Sequence, residues 1–243
     1  MLSFFKKARE AVRPRCAALV PAAGESRRMG GIHKMLEPLD GVPVLVRTLT
    51  ALQLTQQIDE IVIAAREEDL VEISRLCQDY GISKCTKVIR GGESRTHSVL
   101  LAALETSPDI QLLAVHDGAR PLLTPEMADA VITAAARCSA AVPAVPLKDT
   151  VKICCSNGAV AETLERDRLR AVQTPQVFDA SLLKAALQSA ITENRPVTDD
   201  ASAVEHLGKA VFLVDGDEEN IKITTPLDLI VAEAILQDRK ERT

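Results

Sequence analysis

Residues 16–34 read Cys16-Ala17-Ala18-Leu19-Val20-Pro21, then Ala22-Ala23-Gly24-Glu25-Ser26-Arg27-Arg28-Met29-Gly30-Gly31-Ile32-His33-Lys34. The first six are apolar and unbroken by charge, which predicts a strand buried on both faces. The residues after it are small, so a backbone there can approach a ligand closely, and Gly is free to take φ > 0. Backbone N–H groups in such a turn cradle phosphates. Arg27, Arg28 and Lys34 add three cations within eight residues. A solvated basic loop would read the same way. Its place directly after a buried strand favours an anion site, because ligands of open α/β sheets bind outside the carboxyl ends of the strands.

Outward from this stretch, short apolar runs alternate with helical spacing. Glu60–Ala65, Lys87–Arg90, Gln111–His116, Ala140–Val145 and Ala210–Val214 read as strands. Val44–Leu52, Glu67–Gln78, Glu93–Glu105, Pro125–Cys138, Ser181–Ala190, Asp200–His206 and Leu227–Gln237 read as helices. That alternation predicts an α/β fold with a mostly parallel sheet covered on both faces. One segment breaks it: Asp149–Ile153 and Ala159–Leu164 flank Ser156-Asn157-Gly158, and Asn-Gly between β-prone runs signals a hairpin. This hairpin is expected to project from the sheet as a dimerisation arm at about residues 147–171. Residues 16–240 are expected to form one domain, preceded by an extension at 1–15 in which Leu2, Phe5 and Val12 would share one side of a short helix, if it is not simply solvated.

Composition narrows the function. The 243 residues are 47% hydrophobic and 26% charged, as in ordinary globular proteins. Four Phe, one Tyr and no Trp leave almost nothing to stack on nucleic-acid bases. Against 34 Asp and Glu stand 29 Lys and Arg, a net charge of −5, unlike a basic DNA-binding domain. No apolar run is long enough to span a membrane, and charges interrupt the N-terminal residues, so no signal-peptide core is seen. The six cysteines form no C-x-x-C pair, which suits reduced thiols in a cytoplasmic protein.

The chemistry-bearing residues follow the strands. Neither G-x-x-x-x-G-K-[ST] nor G-x-G-x-x-G occurs, so a P-loop and the usual nicotinamide fingerprint are absent. Gly91-Gly92-Glu93-Ser94-Arg95 opens a helix, whose N-terminus favours anions, though a Gly pair reads equally as a simple turn. His116-Asp117-Gly118-Ala119-Arg120-Pro121 ends a strand; its Asp is placed to meet Mg²⁺ or a ribose hydroxyl, or else to cap a helix or pair with Arg120. In Asn220-Ile221-Lys222-Ile223-Thr224-Thr225-Pro226, Thr225 and Pro226 are accounted for as a helix start, whereas Lys222 is not.

Five motifs occur in order: Pro21-Ala22-Ala23-Gly24 with Arg28-Met29-Gly30 and Lys34; His116-Asp117-x-Ala119-Arg120-Pro121; Gln173-Thr174-Pro175-Gln176; Thr198-Asp199-Asp200-Ala201-Ser202; and Asn220-Ile221-Lys222-Ile223-Thr224. Together they resemble the 2-C-methyl-D-erythritol 4-phosphate cytidylyltransferases, from about Cys16 to about Leu236. Ser26, His33 and Gly118 depart from the commonest pattern, and none removes a charged group.

The resemblance implies a three-layer Rossmann-like nucleotidyltransferase fold of the nucleotide-diphospho-sugar transferase type. It implies transfer of CMP from CTP to 2-C-methyl-D-erythritol 4-phosphate, with Mg²⁺ as cofactor. Arg28 and Lys34 would stabilise the transition state, while Lys222 and Arg166 position the substrate phosphate. Ala22, Ala23, Gly24, Gly92, Glu93 and Ser98 would lie near the nucleotide. Asp117, Arg120, Thr174 and Thr198 match other site positions, Asp117 also as a metal ligand. Thr150 and Arg166 would reach a partner subunit's site in a homodimer. No fusion to a second enzyme is expected. A ribitol-5-phosphate cytidylyltransferase would use the same cations on another polyol. A non-catalytic nucleotide-binding protein is the rival from another class.

Overall fold

The computed structural model describes residues 13–24 and 34–242. The expected N-terminal helix and Arg28 lie outside the described residues.

The quoted run forms strand β1, Cys16–Pro21. Its side chains alternate between two cores: Cys16, Ala18 and Val20 face one, Ala17 and Leu19 the other. Two buried faces are what an uninterrupted apolar run requires. Next come a small hairpin, β2 (Pro38–Leu39) and β3 (Val42–Pro43), and helix α1 (Val44–Leu54). The chain continues through β4 (Ile58–Ala65), α2 (Leu70–Asp79), β5 (Cys85–Arg90), α3 (Arg95–Leu104), β6 (Leu112–Val115), α4 (Pro125–Cys138) and β7 (Ala140–Pro146). Then follow β8 (Lys152–Cys154), β9 (Val160–Thr163), β10 (Arg170–Val172), β11 (Gln176–Asp179), α5 (Ala180–Thr192), α6 (Asp200–His206), β12 (Phe212–Asp215) and α7 (Pro226–Glu241).

The main sheet runs β10-β7-β11-β6-β1-β4-β5, with β12 beside β7. β1 pairs in parallel with β4 and β6, as do β4 with β5 and β7 with β12. The sequence reading missed β10 and β11, and both run antiparallel. Leu45, Leu49, Ile73, Val131 and Ala232 from α1, α2, α4 and α7 fill one core. Val99, Leu183 and Val204 from α3, α5 and α6 fill the other. The result is three layers. The chain steps from β1 outward to β5, then returns to place β6 on the other side of β1, so strand order reverses at β1 and β6. Such reversal points are where ligands bind in open α/β sheets.

The expected hairpin forms as the two-stranded β8–β9 ribbon, separate from the main sheet. Gly158 takes φ +84°, and its N–H donates to the Cys155 carbonyl at 3.0 Å. The Asn157 carboxamide oxygen accepts from the Ala159 N–H at 3.0 Å. Every residue of both strands is exposed, Ile153 and Val160 included.

Candidate active site

A cleft of about 450 Å³ opens at the strand-order reversal. Ala23 and Gly24 after β1, Gly92 through Arg95 after β5, and Asp117 through Ala119 after β6 form its walls. Lys34 and Lys222 complete it from sequence-distant loops.

The glycines after β5 are there for close approach. A Cβ on Gly91 would lie 2.8 Å from the Ala23 Cβ, and one on Gly92 would lie 2.5 Å from the His97 ring. Gly91 N–H donates to the Ala65 carbonyl at 2.8 Å, extending β4's edge into the loop. The Ser98 hydroxyl accepts from Gly92 N–H at 3.0 Å and donates to the Ser94 carbonyl at 2.9 Å. Ser98 therefore braces the loop. Ser94 caps α3 by accepting from His97 N–H at 3.1 Å.

Three motifs that are far apart in sequence are laced together behind the cleft. Arg120 Nη1 donates to the Asn220 carbonyl at 2.6 Å, and Ile223 N–H to the Ala119 carbonyl at 2.8 Å. Asn220 is fully buried and donates through Nδ2 to the Thr174 carbonyl at 2.9 Å. The Thr174 hydroxyl accepts from Asp117 N–H at 3.1 Å and lies 3.0 Å from His116 Nδ1. His116 Nε2 lies 3.4 Å from the Arg120 carbonyl, which only accepts. Nε2 therefore carries the proton, and Nδ1 accepts from Thr174. Burial pushes the His116 pKa down to about 4, so this imidazole is neutral and structural.

Asp117 is the centre of the charge arrangement. Its Oδ2 lies 2.8 Å from Lys222 Nζ and 3.7 Å from Arg120 Nε, and its Oδ1 lies 3.4 Å from Arg95 Nη2. Burial works against its ionisation, but Arg95, Lys222 and Arg120 outweigh it and hold the carboxyl far below the usual range. Arg95 also reaches Asp200 Oδ2 at 2.8 Å. Lys34 Nζ donates to the Ile223 carbonyl at 3.4 Å, which sets it beside Lys222.

Of the residues expected from sequence, the cleft brings together Ala23, Gly24, Lys34, Gly92, Glu93, Ser98, Asp117 and Lys222. Ala22 is buried beneath it, its N–H donating to the Ala64 carbonyl at 2.7 Å. Arg120 and Thr174 stand behind Asp117 rather than facing the cleft. Thr198 is exposed elsewhere, with its N–H on the Ser202 hydroxyl at 3.2 Å. Thr150 and Arg166 are exposed at the base of the arm, where Arg166 donates to the Lys148 carbonyl at 3.0 Å. Arg95 and Asp200 were not singled out by sequence, although both sit inside motifs that were quoted.

The family model for 2-C-methyl-D-erythritol 4-phosphate cytidylyltransferase matches residues 16–238. A protein of that name from Bacillus cereus (strain ATCC 10987 / NRS 248) is 44% identical over 224 residues, which cover 92% of this chain and 98% of the relative. One from Dehalococcoides mccartyi is 44% identical over 221 residues, covering 90% and 95%. Among solved structures, the 4-diphosphocytidyl-2C-methyl-D-erythritol synthase of Anaerococcus prevotii superposes with a TM-score of 0.82 at 32% identity, covering 92% of this chain and 96% of that one. With a model match over residues 16–238, relatives aligned over nearly their full length and this cleft at the reversal point, the chain belongs to the 2-C-methyl-D-erythritol 4-phosphate cytidylyltransferase family.

Proposed function

We propose that this protein transfers CMP from CTP to 2-C-methyl-D-erythritol 4-phosphate, joining the substrate phosphate oxygen to the α-phosphorus of CTP and releasing pyrophosphate. The observation that carries this is the convergence of Lys34, Lys222 and Arg95 on one cleft floored by small residues. The nucleophile is a phosphate monoester, largely dianionic near pH 7 because its second pKa is about 6. It needs no general base, and His116, neutral and bonded at both nitrogens, is not available as one. Two anions must be brought together and charge stabilised as it shifts to the leaving pyrophosphate, which is work for cations. Lys34 and Lys222 supply that from the described residues, and Arg28 is proposed to join them. Glu93 and the Gly92 backbone, on the wall after β5, would meet the nucleotide.

Mg²⁺ enters this reading as part of the substrate, as the CTP chelate. Among the described residues no group of three His, Cys, Asp or Glu is placed to hold a metal. Asp117, the expected ligand, already has both oxygens facing cations. A magnesium ion caged by the protein alone does not fit that arrangement, and no step here runs through one.

The protein is further proposed to act as a homodimer in the cytoplasm. Thr150 and Arg166 do not face their own cleft, and the arm that carries them leaves Ile153 and Val160 uncovered. A second subunit's cleft would give both a role. All six cysteines are free thiols, and no helix of the described residues is long and apolar enough to cross a membrane. The test is pyrophosphate release from CTP and Mg²⁺ with either methylerythritol phosphate or ribitol 5-phosphate. Turnover with the first is expected. Preference for the second would move the assignment to the other polyol, and no turnover with either would refute it.

A further inference from the structure

Asp200 is the deepest charge in the cluster. Its side chain is 1% exposed, and Arg95 is its cation. One guanidinium nitrogen, Arg95 Nη2, lies 2.8 Å from Asp200 Oδ2 and 3.4 Å from Asp117 Oδ1. A single donor thus bridges a buried carboxylate behind the cleft and the carboxylate that faces it. Arg95 is the cation that offsets the burial of Asp200: burial pushes its carboxyl up, and Arg95, at 2.8 Å, pulls it back down.

Asp200 is the first residue of α6, where the helix dipole favours an acid, but it is not the cap that fixes the helix start. The N-cap of α6 is Asp199, which accepts from Ser202 N–H at 2.9 Å and from Gln176 Nε2 at 2.8 Å. Gln176 also accepts from Ala201 N–H at 3.0 Å, so β11 already pins the helix start. Burying a carboxylate is costly, and a buried ion pair is often no more stable than an apolar replacement. Arg95 needs an anchor for a different reason. It is the first residue of α3, where the helix dipole disfavours a cation. Its side chain is 34% exposed, with solvent open to it as an alternative.

We propose that Asp200 is a positioning residue: it anchors Arg95 from behind, so that Arg95 orients Asp117, and Asp117 in turn aims Lys222 into the cleft. Asp200 itself touches no substrate. The inference rests on the cytidylyl-transfer reading, because turnover is its readout.

The experiment measures kcat and KM for both substrates, with a melting midpoint, in wild type, Asp200→Asn, Arg95→Lys, the double variant and Asp200→Glu. Lysine keeps the charge of Arg95 but puts a compact ammonium on a shorter stem in place of the guanidinium whose Nη2 lies between the two carboxylates. Asp200→Asn and Arg95→Lys are each expected to lower kcat/KM by about 10- to 100-fold, the size of effect that misplaced groups have. The double variant is expected to fall no further than about threefold below the worse single variant, since both act through one contact. Asp200→Glu is expected to recover part of the loss. Should Asp200→Asn not fold, Arg95→Lys carries the test. Near-normal turnover in either single variant, or losses that multiply in the double, overturns the proposal while leaving the function intact. A wild type that turns over neither substrate pair overturns the functional reading and this inference with it.

Discussion

Replacing Lys222 by Ala is expected to separate activity from stability. Its Nζ lies 2.8 Å from Asp117 Oδ2. At that distance the gross Coulomb attraction is about 6 kcal/mol at an effective dielectric of about 20, and about 1.5 kcal/mol in water. The lysine side chain is 38% exposed, so solvent screens much of this. Its removal does not orphan Asp117, which keeps Arg95 at 3.4 Å and Arg120 at 3.7 Å. A net stability loss near 1 kcal/mol follows, or a fall of about 2–4 °C in melting midpoint for a chain of this size. Turnover responds differently. A preorganised donor aimed at developing charge is worth about 10²–10³ in rate. Pyrophosphate release with both substrates saturating, beside a circular-dichroism melt, reads the two effects separately. The reasoning is refuted if kcat stays within about threefold of wild type, or if the protein loses its fold along with its activity.

Two other outcomes follow from the same geometry. The folded His116 pKa, pushed down to about 4 from the usual 6.5, means the unfolded chain takes up a proton that the native protein refuses between those values. Stability should therefore fall as pH drops from about 6.5 to about 4, by up to about 1.4 kcal/mol per pH unit from this group. Denaturant titrations of His116→Gln against wild type across that range should differ in slope by one proton, and parallel curves would exclude the assignment. On the arm, Ile153→Glu with Val160→Glu should shift light-scattering mass from dimer to monomer and lower turnover without lowering the melting midpoint much; a fully active monomer would sink the shared-site reading.

Much of the sheet could be read in the sequence because its central strands are buried on both faces, and a continuous apolar run has few other meanings at that length. β11 escaped for the opposite reason. Four residues, Gln176-Val177-Phe178-Asp179, carry only two apolar side chains, yet Val177 and Phe178 are fully buried in opposite cores. Tertiary pairing with β6 and β7 makes that strand, and no local pattern announces it. The β2–β3 hairpin did carry a signal that went unread. Asp40-Gly41 takes φ +48° and +76°, the two positive values of a two-residue turn that Asp-Gly favours.

The site divides along a similar line. Residues at strand ends are legible because topology says where ligands go, whereas Lys222 reads locally as a surface lysine and takes its role from the motif resemblance alone. Motif order, in contrast, says nothing about which of two neighbouring acids turns inward. Asp199 and Asp200 are chemically alike, yet Asp199 caps the helix and Asp200 is buried against Arg95. Only the angular step of one residue at a helix start separates those fates. The same holds for Arg120 and Lys222, both near Asp117: Arg120 is committed to the Asn220 carbonyl behind the cleft, while Lys222 lines it. A cation's role here is set by what already holds it. Substitutions at Arg120 should therefore register in stability before turnover, and those at Lys222 in turnover before stability.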